Sequence, residues 1–274
     1  MTLSVDHTAH TLAAPGANLY YEVRGAGPLV LVIGSPMASA EFAPLADALA
    51  ADHTVVTYDP RGIAGSSIED PEQDSTPELR ADDIAALLDA VGAEPADVFG
   101  SSGGAVTGLA LAARHPGRVR TLVAHEPPLL ELLPDAAAQR AKTEDIIATF
   151  HAEGMQAAWF KFMVNAGFDK AALEGAPMHG EQQEPSEQEL REAARFFGHE
   201  LRQTTQYLPD IDALAAARVV VGIGADSGHL LTYRTSVALC ERLGSQPVEF
   251  PGDHGGFLGA PAEFADVLRM VLSS

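Results

Sequence analysis

The chain is poor in cysteine and in basic residues. Its 274 residues include a single cysteine, Cys240, so no disulfide can form within the chain, as is usual for proteins of the reducing cytoplasm. Only 17 Lys and Arg residues stand against 38 Asp and Glu residues, which gives a net charge of −21. A surface this acidic repels nucleic acid and anionic membranes, so neither is expected as a partner.

The chain also lacks long apolar runs and metal-binding motifs, and no signal peptide is expected. No segment approaches the ~18 consecutive apolar residues of a membrane-spanning helix. The first residues, M-T-L-S-V-D-H, carry neither a basic region nor an apolar stretch, so they are not expected to form a signal peptide. The chain has no H-E-x-x-H motif and no Cys/His cluster, and no bound metal is predicted. These features favour a cytoplasmic protein.

What the chain does contain is a regular alternation of strands and helices. Short apolar runs bounded by turn residues predict strands at 18–24, 29–33, 54–58, 97–100, 119–124, 219–223 and 248–250. Helical periodicity falls between these runs, at 42–50, 77–91, 105–115, 235–243 and 261–272. Such alternation predicts an α/β fold with a mainly parallel sheet and helices on both faces.

One of these helices has clear start and stop signals. Thr76 is a good capping residue, Pro77 suits the first helical position, and Gly92 follows the last apolar position. The rhythm changes after Pro127, where helical periodicity continues without a convincing strand until 219. We expect this helical segment to lie over one end of the sheet.

Two adjacent serines lie in a glycine-rich turn between a predicted strand and a predicted helix. The segment at 100–104 reads G-S-S-G-G and meets the pattern G-x-S-x-G once, with Ser102 at its centre and Ser101 out of register. In a nucleophile elbow the central serine is held in a strained conformation, and glycines two positions away avoid collisions with neighbouring elements. Ser102 is therefore the predicted nucleophile.

A serine hydroxyl needs a general base, which is itself oriented by an acid. His254 follows the last predicted strand and precedes the last helix, as the base does in this elbow fold. Asp226 follows the strand at 219–223 and completes the chain order serine, acid, histidine. We predict Asp226 as the acid, and Glu126, which with His125 lies at the end of the strand predicted at 119–124, is the rival for that role or a substrate contact.

These motifs together resemble those of the α/β-hydrolase superfamily, over essentially the whole chain. Beside the elbow, the resemblance rests on G-A-D at 224–226, G-D-H-G at 252–255 and D-P-R-G-I-A-G-S at 59–66, where Ala64 replaces the glycine usual in that loop. It implies an α/β-hydrolase fold with a mainly parallel eight-stranded sheet. Residues 1–127 and 218–274 would form the core, and 128–217 a helical cap inserted after the sixth strand. It implies catalysis without a metal or an organic cofactor.

The loop after the strand at 29–33 departs from the family, which usually has His-Gly there. This chain reads I-G-S-P-M at 33–37. An oxyanion hole is built from backbone N–H groups, so the missing histidine need not abolish it. The expected donors are the amides of Ser35 and Gly103, with Met37 as the fallback because Pro36 has no N–H.

Other candidate residues belong to the pocket. Apolar residues of the cap, Trp159, Phe160, Phe162, Met163 and Phe168, are expected to form cap core, and the inner side of such a cap walls the pocket. Met37, Trp159, Phe162, Met163, Glu126 and His229 are the predicted pocket residues, although His229 would equally suit the surface. His125 is expected to be structural or pocket-lining rather than a base.

The sequence thus predicts a serine hydrolase that cleaves a small to medium apolar ester or lactone through an acyl-enzyme. The same triad could instead serve carbon–carbon bond hydrolysis, perhydrolysis or a tailoring step in natural-product biosynthesis. A non-catalytic small-molecule-binding protein on the same fold is the alternative from another class, since fold does not determine function. The expected partner is a small-molecule substrate, and the oligomeric state stays open, a homodimer included.

Overall fold

A computed structural model describes residues 6–92, 95–175 and 185–274. Residues 1–5, most of the stretch in which no signal peptide is expected, lie outside this range. The described strands are β1 (His7–Ala14), β2 (Ala17–Gly25), β3 (Leu29–Ile33), β4 (Thr54–Tyr58), β5 (Ser67–Ile68), β6 (Ala96–Ser101), β7 (Val119–His125), β8 (Arg218–Gly224) and β9 (Val248–Phe250). The helices of the sheet region are α1 (Ser39–Leu49), α2 (Pro77–Val91) and α3 (Gly103–Arg114).

Further helices lie between β7 and β8 and after β8. The segment between these strands holds α4 (Ala136–Glu153), α5 (Met155–Ala166), α6 (Lys170–Gly175), α7 (Glu187–Arg195), a π-helix (Phe196–Glu200) and α8 (Leu201–Thr205), with short 3₁₀ turns at Leu130–Leu132 and Ala213–Ala216. The last part of the chain contains α9 (Leu231–Leu243), α10 (Gly256–Gly259) and α11 (Pro261–Leu272). None of the helices in the described ranges is long and apolar enough to cross a bilayer.

The strands form one sheet in the order β1-β2-β4-β3-β6-β7-β8-β9, with β5 paired to β2. All neighbours from β4 to β9 are parallel, whereas β2 pairs antiparallel with β1, β4 and β5. The predicted α/β-hydrolase fold with a mainly parallel eight-stranded sheet is therefore confirmed, and the two-residue β5 is an addition to it. Because β5 is counted, the helical segment follows β7 rather than a sixth strand.

Apolar side chains bury the sheet on both faces. One core cluster packs α2, α3 and α9 against one face, and a second packs α1, α10 and α11 against the other. The strands between them read as continuous apolar runs because both of their faces are covered. The start of α2 is as expected, since the Thr76 hydroxyl accepts from the Leu79 N–H at 3.1 Å and Gly92 ends the helix in a left-handed conformation.

The helices between β7 and β8 have a small core of their own. Trp159 stacks on Phe196 with ring centroids 5.0 Å apart, and Phe197 packs on both rings. We call the segment 128–217 the cap, with 176–184 outside the described residues. Its helices follow the carboxyl end of β7. The cap therefore lies at the edge of the sheet formed by the carboxyl ends of the parallel strands.

The loop at 59–66 forms hydrogen bonds both to the core of the fold and to the cap. Arg61 forms a buried ion pair with Asp83 at 2.6 Å, and Asp59 accepts from the Ser39 amide at 2.8 Å. Ala64, which replaces the usual glycine, has φ 47°, a left-handed conformation that glycine adopts more easily. Its N–H donates to Glu192 of α7 at 2.8 Å, so the strained turn is held by a cap side chain.

Candidate active site

Ser102 occupies the turn between β6 and α3. Its backbone has φ 55° and ψ −121°, a conformation that non-glycine residues rarely adopt. Its N–H donates to the carbonyl of His125 at 2.9 Å, which fixes the turn to the end of β7. Strain of this kind persists where the surrounding structure enforces it, and it holds the Ser102 side chain in the cavity wall.

The glycines around Ser102 are required by close backbone packing. A Cβ on Gly104 would lie 2.2 Å from the Ile33 carbonyl oxygen, and one on Gly100 would lie 2.6 Å from the Gly104 oxygen. Backbone atoms cannot move aside as flexible side chains can. The sequence pattern G-x-S-x-G therefore follows from two close backbone contacts, one between Gly104 and the end of β3 and one between Gly100 and the start of α3.

Replacing Gly104 by Ala should lower the free energy of unfolding by about 1–3 kcal/mol or more, because the added methyl group overpacks a backbone contact. The matched control is Gly259→Ala at the end of α10, where no atom lies within 4 Å of the added Cβ. We expect the control to stay within about 0.5 kcal/mol of wild type in urea unfolding followed by circular dichroism. Equal stability of the two variants would contradict the packing argument.

His254 lies in the loop between β9 and α10, and its partner is Glu126. The His254 Nδ1 atom is 2.6 Å from Glu126 Oε2. Glu126 is fully buried, and it also accepts from the Gly224 N–H and the Thr232 hydroxyl, each at 2.8 Å. The carboxylate is thus held by three donors and can orient the imidazole.

The electrostatics of Glu126 favour an ionised carboxylate. Burial by itself would raise the pKa of the Glu126 carboxyl, but the hydrogen bond and the positive charge of His254 lower the pKa to about 2. Glu126 also has φ 49°, another left-handed residue in the described chain. Two strained residues, Ser102 and Glu126, therefore end neighbouring strands at the same edge of the sheet.

The prediction that Asp226 contacts His254 is wrong. The Asp226 side chain is exposed, and its N–H donates to the Gly252 carbonyl at 2.9 Å. The reason is that β8 ends at Gly224, whose amide is taken by Glu126, so the chain has already turned outward at Asp226. The contact belongs to Glu126, the rival candidate.

His125 lies beneath the site and remains neutral. It is fully buried, its ring stacks on that of His254 with centroids 6.1 Å apart, and its Nδ1 is 3.3 Å from the Ser101 hydroxyl. Burial lowers the pKa of His125 to about 3. From the sequence, His125 is expected to be structural or pocket-lining. It does not line the cavity, and it packs among the aromatic rings below His254.

The two residues expected to donate to the oxyanion are in contact with each other. A Cβ on Gly103 would lie 2.5 Å from the Ser35 carbonyl oxygen, so the loop after β3 touches the first residue of α3. The amide of Gly103 belongs to the first turn of a helix, where N–H groups have no intrahelical partner. Ser35 and Gly103 both line the cavity beside Ser102.

The cavity has a volume of about 450 Å³ and a mainly apolar wall. The predicted pocket residues Met37, Trp159, Phe162 and Met163 line it, together with Ser102 and His254. His229 does not line it and is exposed, and Glu126 is buried behind His254. Within the described ranges, no three His, Cys, Asp or Glu side chains cluster as metal ligands would.

Sequence reasoning missed a charged residue in the cavity wall, Glu200 at the end of the π-helix. The apolar lining residues Phe196, Leu201 and Leu230 were not predicted either. A helical segment of unknown packing offers no signal that separates a cavity-facing carboxylate from a solvated one.

Known proteins share this architecture. The family model described as "alpha/beta hydrolase fold" matches residues 27–257. An uncharacterized hydrolase, YraK of Bacillus subtilis, is 34% identical over 96% of this chain and 95% of its own length. A thermophilic esterase from Thermogutta terrifontis (TM-score 0.73, 20% identical, 98% of each chain) and an enol-lactonase from Burkholderia xenovorans (TM-score 0.71, 20% identical, 97% of this chain and 100% of its own) share the fold. The chain is therefore a hydrolase that belongs to the α/β-hydrolase family.

Proposed function

We propose that this hydrolase cleaves a small to medium, mainly apolar carboxylic ester or lactone through an acyl-enzyme on Ser102. The observation that carries the proposal is the contact between His254 and the buried Glu126, at the wall of a cavity that Ser102 also lines. A histidine held by an ionised carboxylate beside an elbow serine is the arrangement that activates a hydroxyl.

The proposed chemistry assigns one role to each group. Ser102 Oγ attacks the carbonyl carbon, and His254 Nε2 takes the hydroxyl proton and returns it to the leaving alcohol. Glu126 holds the Nδ1–H of His254 and stabilises the imidazolium that forms. The amides of Ser35 and Gly103 would stabilise the oxyanion. Water then attacks the acyl carbon while His254 takes its proton, and His254 returns the proton to Ser102 Oγ as the acid leaves.

The substrate class follows from the cavity. A volume of about 450 Å³ is in the range of small-molecule sites, and its aromatic and aliphatic wall favours an apolar body. The names of the structural neighbours, an esterase and an enol-lactonase, support this chemistry. We place the reaction in the cytoplasm, with a small molecule as the partner and neither nucleic acid nor membrane involved.

Mass spectrometry after treatment with a fluorophosphonate tests the proposal. We expect one covalent adduct on Ser102, because the reagent needs an activated hydroxyl and an oxyanion hole. A folded protein without an adduct would support the small-molecule-binding alternative. An adduct on Ser102 with no turnover of p-nitrophenyl esters of increasing chain length would favour another reaction of the same triad, such as carbon–carbon bond hydrolysis.

The decrease of kcat/KM at low pH should reflect the protonation of a single group. As the pH falls, protonation of the general base removes the acceptor of the Ser102 proton, so the rate decreases. Glu126 has a pKa of about 2 and His125 a pKa of about 3, so neither changes its charge above about pH 4. A plot of log kcat/KM against pH should therefore have a limiting slope of about one, and a slope of two would contradict this assignment.

A further inference from the structure

Glu200 places a buried carboxylate in the wall of the cavity. It is the last residue of the π-helix at 196–200, and its exposure is 1%. The π-helix widens the turn at this point, a feature often found at functional sites. The wall is mainly apolar, and among the described residues that line the cavity only Glu200 and Asp253 carry a carboxyl group.

Only one oxygen of Glu200 has a hydrogen bond among the described residues. The Ser35 hydroxyl donates a short hydrogen bond to Oε1, and the nearest guanidinium nitrogen of Arg80 is 3.9 Å from the same oxygen. The other oxygen, Oε2, is shielded from solvent and accepts no hydrogen bond from the described residues. A buried carboxylate oxygen without a donor is costly, and such groups call for an explanation.

A role as counter-ion to Arg80 accounts for only part of this arrangement. Arg80 is fully buried, and its closest partners are the neutral oxygens of Thr107, Ser75 and Thr204, at 2.6–3.1 Å. The ion pair with Glu200 is longer than these contacts and involves Oε1. The ion pair with Arg80 therefore explains why a buried charge is tolerated at Glu200. It does not explain why Oε2 is buried without a hydrogen-bond donor.

The position of Glu200 relates it to the proposed reaction. Ser35, which holds Oε1, touches Gly103, the residue next to Ser102. The carboxylate thus lies within two residue contacts of the nucleophile. The buried oxygen Oε2 lacks a hydrogen-bond donor, which is unfavourable, and a substrate donor bound to it would satisfy the carboxylate and orient the reacting carbonyl.

We propose that Glu200 binds a hydrogen-bond donor of the substrate, a hydroxyl or an amino group near the reacting carbonyl. The inference rests on the proposed function and narrows its substrate class to esters or lactones that carry such a donor. Glu200 lies among the residues that line the cavity, so a donor of a bound substrate can reach its carboxylate. A site built to accept a hydrogen bond discriminates strongly against analogues that lack the donor.

Matched p-nitrophenyl esters test this specificity. The α-substituted pair is the lactate and the isobutyrate, and the β-substituted pair is β-hydroxybutyrate and isovalerate, each pair differing by hydroxyl against methyl. The β-aminobutyrate separates an amino donor from a hydroxyl. Each kcat/KM is divided by the rate of hydrolysis by hydroxide, so that intrinsic reactivity cancels. In wild type we expect at least one donor ester to be preferred by about tenfold or more.

The variants Glu200→Gln and Glu200→Met connect the preference to this residue. The ratio should decrease in Glu200→Gln, which loses the charge, and approach one in Glu200→Met, which loses the acceptor. Glu192→Gln, a cap carboxylate that lies outside this cavity, is the matched control and should keep the wild-type ratio. Thermal unfolding and fluorophosphonate labelling of Ser102 establish that each variant is folded with an intact nucleophile.

The outcomes separate the two proposals. Hydrolysis of all esters with ratios near one in wild type overturns the role of Glu200, even where a variant fails to fold, and leaves the proposed function standing. A tenfold preference that persists in Glu200→Met also overturns it. Absence of turnover on every ester, together with absence of labelling at Ser102, overturns the proposed function and this inference with it.

Discussion

Replacing Glu126 by Gln is expected to lower kcat by about four orders of magnitude on every ester that the wild type accepts. The carboxylate fixes Nδ1–H on His254, so Nε2 is free to accept the Ser102 proton. A glutamine amide can instead donate to Nδ1, which puts the proton on Nε2 and blocks the base. Because the loss concerns the transition state, KM should change much less than kcat.

Asp226→Asn is the matched control for this variant. It makes the same change of carboxylate to amide at the other candidate acid, whose side chain is exposed. We expect its kcat to stay within about threefold of wild type, since surface substitutions of this kind have small effects. Steady-state kinetics on both variants, with circular dichroism as the check on folding, decide the role. Near-normal kcat in Glu126→Gln with collapse in Asp226→Asn would return the role to Asp226.

The choice between these two acids shows what the sequence could not provide. Both residues follow parallel strands that end at the same edge, so chain order and spacing suit either of them. The difference is local: Glu126 comes directly after β7 in a left-handed conformation, whereas Asp226 comes two residues after β8, past the turn. The longer side chain of Glu126 reaches His254 because of this left-handed conformation, which a pattern of residue types does not reveal.

The sheet and the elbow were predictable because local signals agree with the global fold. Apolar runs indicate the parallel strands, and the N-terminal capping residue Thr76 indicates the start of α2. The pattern G-x-S-x-G reflects backbone contacts that admit only glycine. The cap follows a weaker rule. Its apolar residues show which helices pack inward, but the position of Glu200 depends on a π-helix, which hydrophobic periodicity does not reveal.

Ser102→Ala is expected to abolish turnover, with kcat falling by about 10⁶-fold, as loss of the nucleophile removes the covalent route. The fluorophosphonate adduct should disappear as well. Folding should be retained, because the hydroxyl oxygen that is removed makes no hydrogen bond to the described residues. The hydrogen bond from the backbone N–H of residue 102 to the His125 carbonyl persists. The measurements are steady-state kinetics, adduct mass and thermal unfolding on the same preparation.

Ser101→Ala is the control that tests the register of the elbow. Ser101 is fully buried at the end of β6, and its hydroxyl contacts His125 rather than the cavity. We expect this variant to keep the covalent adduct and most of the wild-type kcat, with a stability loss of about 1 kcal/mol from the broken hydrogen bond. Because the two serines are adjacent and the side chains of a strand alternate in direction, only one of them can face the substrate. An inactive Ser101→Ala together with an active Ser102→Ala would identify Ser101 as the nucleophile. That result would contradict the structure, in which Ser101 is buried away from the cavity.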